Sequence, residues 1–268
     1  MTTQPYLSVI IPAYNEERRI GKTLVAIRKY LDAQNYPYEV IVSNDASKDT
    51  TMAIVEIIKE GWPELRVLNN LKNMGKGATV KNAILNALGK YLIFTDADNA
   101  TPISEIEKLW PFMGEYQVVI GSRHCHGAKI HVSQVFYRVI LSRLSNVLIR
   151  ILAVPGVSDT QCGFKLFEAN AGKNIFANVT IDRWGFDFEA LMVALRLRYK
   201  IKEVGIEWRN DPESKFASKE AVRTLIDLFK IKRNMLRGEY DAVGYAYTMP
   251  VASAKERTEP EKELELVE

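Results

Sequence analysis

Apolar residues follow two rhythms along this chain. In the first half, short runs rich in β-branched residues alternate with stretches whose apolar positions recur at helical spacing. The runs predict strands at Leu7–Ile11, Glu39–Ser43, Arg66–Leu68, Tyr91–Thr95 and Val118–Gly121. The periodic stretches predict helices at about Arg18–Leu31, Thr50–Glu60, Ala78–Leu88 and Ser104–Phe112. Ser47 and Asp49 are placed to cap the second helix, and Pro102 with Ser104 and Glu105 opens the fourth. This βαβα alternation implies an α/β fold, Rossmann-like, with a mostly parallel sheet covered by helices on both faces.

The second half is less regular. Its pattern predicts a long helix over Gln134–Leu152, a shorter one over Phe188–Leu197, a strand over Ile201–Trp208 and a last helix over Ser218–Arg237. In the long helix Arg138, Ser142, Ser145, Asn146 and Arg150 recur opposite Ile140, Leu144, Val147 and Ile151. That periodicity fits a core helix with a solvated stripe, and equally a basic helix lying among lipid headgroups. Residues 1–238 read as one domain. Residues 239–268, acidic and poor in apolar side chains, read as a flexible tail.

Charge changes this picture more than composition does. At 47% hydrophobic and 26% charged the chain has an ordinary globular balance, which excludes a wholly disordered protein. Net charge is +3, but residues 239–268 carry eight acids against three bases, so residues 1–238 hold +8. A basic body favours anionic partners. Cys125 and Cys162 lie far apart, which suggests no disulfide framework and fits a reducing, cytoplasmic setting. No basic-then-apolar leader opens the sequence, and no apolar stretch reaches the ~20 residues of a spanning helix.

In parallel sheets ligands collect beyond the carboxyl ends of the strands. Three polar clusters stand there: Tyr14-Asn15-Glu16, Asn44-Asp45 and Asp96-Ala97-Asp98. Paired aspartates after a buried strand can offer carboxylate oxygens to Mg2+ or Mn2+, although aspartate is also common in plain turns. The stretch "VIIPAYNEE" carries no glycine where a dinucleotide-binding loop needs several, and "NMGKGATVK" lacks the Ser or Thr of a P-loop. His124, Cys125, His126 and His131 match no standard zinc spacing.

Taken in order, "VIIPAYNEE", "VSNDASKDTT", "NMGKG", "TDADNATP", "IGSR", "DTQCGFKLF", "RWGFDFEAL" and "ESK" resemble the inverting family 2 glycosyltransferases of the GT-A fold. Within these they are similar to the polyprenyl-phosphate (dolichyl-phosphate) hexose synthases, from Leu7 to about Leu236. The resemblance implies a nucleotide-binding half over about 1–122 and an acceptor half over about 123–238. It implies a donor set of Pro12, Tyr14, Glu16, Asp45 and Lys76, with Asp45 accepting a hydrogen bond from the base. Arg209, Ser214 and Lys215 would form a later phosphate-binding segment. Asp96 and Asp98 would hold Mg2+ or Mn2+, with Asp98 the principal ligand, and Arg123 would meet a phosphate. Arg138, Asp159, Gln161 and Glu189 would lie on the acceptor side, Asp159 and Gln161 facing the sugar, with Asp187 beside Glu189 in the acceptor cleft as a catalytic candidate; for these two aspartates, Gln161 and Glu189 a helix-cap or structural hydrogen-bond role stands equally open. Mannose-transferring relatives carry Gln where Ala100 stands, and "DADNAT" is closer to the "DADGAT" of dolichyl-phosphate glucosyltransferases.

The implied activity is inverting transfer of glucose from UDP-glucose to a polyprenyl phosphate, peripherally on the cytosolic face of a membrane. A membrane-protein partner would suit that placement, and nucleic acid would not. The alternatives are a GDP-mannose enzyme, transfer to a sugar hydroxyl with a base such as Asp187, and a nucleotide-sugar-binding scaffold without turnover. The chemistry stands without the family: a cleaved sugar–diphosphate bond leaves negative charge that a divalent ion and fixed Arg and Lys groups can stabilise. A lipid phosphate is already an anion, so the reaction needs no strong base, in keeping with three histidines in the whole chain.

Overall fold

The computed structural model describes residues 4–130, 148–209 and 218–240, with the helical backbone alone for 218–222. Its first half follows the predicted alternation: β1 (Leu7–Ala13), α1 (Ile20–Leu31), β2 (Tyr38–Asn44), α2 (Thr51–Glu60), β3 (Leu65–Asn69), α3 (Lys76–Asn86), β4 (Tyr91–Thr95) and β5 (Val118–Ser122). After these come β6 (Lys129–Ile130), β7 (Phe164–Glu168), α4 (Ala169–Asn178), α5 (Phe186–Arg196), β8 (Ile201–Gly205), β9 (Glu207–Trp208) and α6 (Ser218–Leu236). The predicted strand over Ile201–Trp208 is thus divided between β8 and β9, which pairs with β6. Most of the predicted helix Gln134–Leu152 lies outside the described residues, as does the tail beyond Tyr240; residues 148–152 are helical.

One sheet runs in the order β3-β2-β1-β4-β7-β5-β8. Its pairs are parallel except where β7 inserts antiparallel between β4 and β5. Alternate residues of each strand feed two cores, because helices cover both faces. Ile10, Ile41, Leu92 and Phe94 point to one core with α3, α4 and α5. Val9, Ile11, Val40, Val42 and Ile93 point to the other with α1 and α2. Strand order reverses between β1 and β4, so the loops after β1, β2 and β4 open side by side at the switch point where α/β sheets bind ligands.

The predicted helix Ser104–Phe112 is instead two 3-10 turns, Ile103–Lys108 and Trp110–Phe112. Pro111 explains the break: it lacks an amide hydrogen and disfavours helical geometry at Trp110. β7 and α4 carry no counterpart in the periodicity reading. β7 reads FKLFE, and a lysine inside a central strand looks like a surface position until the fold is known.

Gly75 and Gly77 bring α3 against residues 181–186, where α5 begins. A Cβ at Gly77 would lie 2.7 Å from Phe186 Cβ and 2.9 Å from the Arg183 carbonyl oxygen. The Ala78 amide also donates to the Asp182 carbonyl at 3.0 Å. This contact sets where Lys76 begins α3. We expect Gly77→Ala to destabilise the protein by about 1–3 kcal/mol, the usual cost of overpacking, seen as a Tm several degrees lower; an unchanged melt would contradict the contact.

Candidate active site

The loops after β1 and β2 are tied together by their own polar residues. Asn15 donates its amide to Ser47 Oγ at 3.1 Å and accepts from the Lys48 amide at 2.8 Å. The Glu16 amide donates to Thr51 Oγ1 at 2.7 Å, and the Glu16 carboxylate engages Arg19. Asp49 accepts the Thr51 amide at 3.0 Å, the capping role expected for α2, whereas Ser47 serves Asn15 instead. Asn15 (φ 54°), Ala46 (φ 57°) and Asn99 (φ 54°) each place a non-glycine left-handed residue in one of the three loops. Such conformations cost energy and concentrate at functional sites.

Asp45 is 3% exposed at the end of β2. Its carboxylate accepts the amides of Met74 at 2.7 Å and Gly75 at 2.9 Å, and Asn70 Nδ2 at 3.0 Å. It therefore organises the loop into α3, and of its four lone-pair positions one is left for a ligand. Beside it Pro12 is buried in β1 and Tyr14 is 37% exposed.

The aspartate pair closes β4. Thr23 on α1 donates to the Ala97 carbonyl at 2.7 Å, and the Arg209 amide donates to the Ala100 carbonyl at 2.8 Å, so the turn is held from both sides. Asp96 Oδ1 pairs with Lys76 Nζ at 2.6 Å. Against its other oxygen stands Gly163, where an added Cβ would lie 2.5 Å from Asp96 Cγ. Burial alone would drag the Lys76 pKa down, but the charges of Asp96 and Asp187 hold it up. Asp98 accepts the Ala100 amide at 3.0 Å. Burial first, and the neighbouring Asp96 charge second, push its carboxyl up to about 6. Asp96 thus holds the ammonium, while Arg19 and Lys76 act on Asp98 only as nearby charges.

The donor set suits a hard divalent cation. It offers oxygens only, and among the described residues no group of three or more His, Cys, Asp or Glu gathers to hold a metal. Two carboxylates with the remaining positions left to water and substrate phosphates is how Mg2+ is commonly held. A cation there would reverse the repulsion that raises Asp98. His124, Cys125 and His126 form no such group, and His131 lies outside the described residues.

Arg123 follows β5. Its Nε and one terminal nitrogen each donate to Asp159 at 2.8 Å, its amide does so at 2.9 Å, and its guanidinium stacks 5.3 Å from the Trp208 ring centroid. Glu203 in turn accepts the amides of Ser158 at 2.7 Å and Asp159 at 2.8 Å. Burial works against the Asp159 carboxylate, yet Arg123 pulls its pKa down to about 2. Three Arg123 N–H groups remain for a phosphate.

Of the two roles left open for several residues, the contacts match the structural one. Asp159 is 0% exposed with both oxygens on Arg123, so it orients that arginine and does not face a sugar. Glu189, also 0% exposed, accepts from Thr180, Ile181 and Tyr240 and organises the chain before α5. Asp187 is buried against Lys165 at 2.5 Å, where burial raises its pKa, and it is closed to an incoming hydroxyl. Gln161 is half-buried in the turn beside Asp159. The Arg209 side chain is exposed and pairs with Glu207 at 2.9 Å. Arg138, Ser214 and Lys215 lie outside the described residues. Lys165, Gly163, Glu203 and Trp208 were missed: Gly163 and Lys165 stand inside the quoted "DTQCGFKLF" but were given no role, and Glu203 and Trp208 stand in no motif.

Comparison with known proteins gives a consistent picture. The profile of Glycosyl transferase family 2 matches residues 8–176. A dolichyl-phosphate beta-glucosyltransferase of Trichomonas vaginalis is 40% identical over 240 residues, covering 85% of this chain and 73% of that protein. The Homo sapiens protein of the same description is 34% identical over 224 residues, covering 78% and 69%. Among solved structures, glucosyl-3-phosphoglycerate synthase from Mycobacterium tuberculosis, in complex with Mn2+, UDP and glucosyl-3-phosphoglycerate, superposes with a TM-score of 0.61 at 18% identity, covering 85% of this chain and 80% of that one. That likeness establishes the fold as GT-A-like.

The raised Asp98 pKa has a thermodynamic consequence. The folded protein holds this proton more tightly than the unfolded chain, so the stability it contributes is fully present below pH about 4 and lost as pH rises through about 6. Asp98→Asn should therefore raise the Tm of the protein in EDTA at pH 7.5 by a few degrees, and the gain should vanish near pH 4; equal melting of the two proteins at both pH values would contradict the charge arrangement.

Proposed function

The chain belongs to glycosyl transferase family 2, and on that footing we propose that it transfers glucose from UDP-glucose to a dolichyl-type polyprenyl phosphate, inverting the anomeric centre. Proteins 32–40% identical over most of the chain and named dolichyl-phosphate beta-glucosyltransferase support this reading. The observation that carries it is the Asp96–Asp98 turn at the sheet's switch point, two half-buried acids of which Asp96 pairs with Lys76 and Asp98 keeps a raised pKa. In this reading residues 1–238 act as one GT-A unit, donor half first.

The donor base follows from Asp45. Guanine presents adjacent N1–H and N2–H donors, which suit a carboxylate with both oxygens free, while uracil presents one N3–H. With three hydrogen bonds already on Asp45, the remaining acceptor position favours uridine over the GDP alternative. Tyr14 would pack on the base, with Pro12 and Glu16 shaping the same wall.

The chemistry then needs little from the protein beyond placement and charge. Bound Mg2+ or Mn2+, held by Asp98 and Asp96, would supply Lewis-acid stabilisation of the leaving diphosphate. Lys76 and Arg123 add fixed positive charge in a site of limited solvent access, and Arg209, Ser214 and Lys215 would add more from the later segment. A phosphate oxygen of the acceptor attacks C1 as the C1–O bond to UDP breaks, and UDP leaves with the bonding pair. No proton moves. Burial of Asp187 against Lys165 supports this acceptor over a sugar hydroxyl, which would require a free base.

The outer face of α6 supports peripheral contact with the cytosolic leaflet. Ile226 (60%), Phe229 (69%) and Leu236 (80%) are exposed there with Arg223, Lys230, Arg233 and Arg237 among them, while Leu228 and Ile231 pack inward. Apolar side chains ringed by bases suit an anionic bilayer surface. Among the described residues no helix is long and apolar enough to cross a membrane.

Two measurements test the reading. With a short polyprenyl phosphate and Mn2+, glucose transfer from UDP-glucose should exceed mannose transfer from GDP-mannose at least tenfold, and EDTA or Asp98→Ala should abolish it; undiminished turnover in EDTA would reject the mechanism. Ile226→Glu with Phe229→Glu should weaken binding to phosphatidylserine vesicles tenfold or more, since each large apolar side chain contributes roughly 1.5–3 kcal/mol when buried; unaltered cosedimentation would remove α6 from the membrane face.

A further inference from the structure

Lys165 is the most unusual placement in the molecule: a lysine 1% exposed in the middle of the sheet, registered opposite Phe94 on β4 and Ile120 on β5. Its ammonium donates to the Cys162 carbonyl at 2.6 Å and to Asp187 Oδ1 at 2.5 Å. A buried ion pair of this kind is weak evidence of stabilisation, because well-packed apolar residues of similar volume commonly serve a core as well. Something other than stability is therefore needed to explain it. The geometry around it supplies a candidate.

Cys162 is followed by Gly163, the residue whose missing Cβ makes room for the Asp96 carboxylate. Lys76 holds the other side of that carboxylate. Both ammonium groups lie over the same Phe94 ring, Lys76 at 5.5 Å and Lys165 at 5.4 Å from its centroid. Asp96 thus stands between a lysine that pairs with it and a strip of backbone that a second lysine fastens from below. We propose that Lys165 is a positioning residue for Asp96: by holding the Cys162 carbonyl it fixes Gly163 as a wall against the carboxylate, and Asp187 is the counter-charge that keeps the ammonium in place. This role rests on the reading that Asp96 serves the donor side of the reaction, and it assigns Asp187 a place that needs no proton transfer.

The test replaces the pair in two ways. K165M/D187L substitutes apolar volume, and K165Q/D187N keeps a neutral hydrogen-bonding pair. For K165M/D187L we expect a Tm within a few degrees of wild type, a KM for UDP-glucose within threefold, and a kcat about 100-fold lower, the penalty that a misplacement of about 1 Å can exact. K165Q/D187N should recover at least tenfold of that loss. Gly163→Ala, which pushes on Asp96 directly, should lower kcat comparably in wild type and add little in K165M/D187L, since both act on one contact.

Wild-type kcat in K165M/D187L, or losses that multiply in the triple variant, would overturn the proposal. If K165M/D187L does not fold, Gly163→Ala decides alone, and a kcat within threefold of wild type would overturn the wall. A wild-type chain that transfers no sugar would fail the functional reading instead. The positioning claim is then read from crystals of Gly163→Ala, where Asp96 should move by about an ångström and an unmoved carboxylate would refute it.

Discussion

Two carboxylates stand one residue apart at the end of β4, one paired with Lys76 and the other raised in pKa by burial and by its neighbour's charge, and the surrounding contacts hold them there. Lys76 takes Asp96, and Asp98 has a backbone amide and the nearby charges of Arg19 and Lys76, which do not offset the burial and the Asp96 charge that raise its pKa. Two neighbouring carboxylates repel, and a cation placed between them would relieve that repulsion. The surrounding contacts keep the turn in place. Thr23 and Arg209 hold the turn by its carbonyls, Gly163 walls Asp96 in, and Gly75 and Gly77 let α3 begin where Lys76 can reach.

A second electrostatic unit answers the first across the sheet. Glu203 fastens the backbone at Asp159, Asp159 grips Arg123 by two nitrogens, and the guanidinium lies against Trp208. The arginine is thereby fixed with donors to spare. Fixed cations near an incoming diphosphate or lipid phosphate cost no reorganisation when charge develops, which is the main resource available to an enzyme of anion-to-anion transfer. The same logic makes a general base dispensable, in keeping with Asp187 being enclosed beside Lys165.

The first half of the fold was legible because its strands are short runs rich in β-branched residues and most of its helices keep one periodicity. β4 matches the predicted Tyr91–Thr95 end for end. Legibility failed where tertiary context overrides pattern. Lys165 hid β7, since nothing local says that a lysine will find Asp187 and a carbonyl inside the core. Pro111 divided the expected helix at Ser104–Phe112 into 3-10 turns, a signal present in the sequence but outweighed by apolar spacing. At the site, Asp96, Asp98, Asp45 and Arg123 were found as motif members. Their division of labour was not. That Asp159 and Glu189 are buried supports, and that Asp45 spends three of its acceptor positions on the protein, depends on contacts between segments far apart in the chain.

On the proposed function, the acids and bases gathered at this turn would receive a nucleotide-sugar together with a divalent cation held by Asp98 and Asp96. The most direct measurement is anomalous diffraction at the manganese edge from crystals soaked with Mn2+ and UDP. The account predicts a peak within about 2–2.5 Å of an Asp98 oxygen, with UDP phosphate oxygens completing the ion's surroundings. A bound UDP whose diphosphate lies away from the Asp96–Asp98 turn, with no manganese at Asp98, would contradict it.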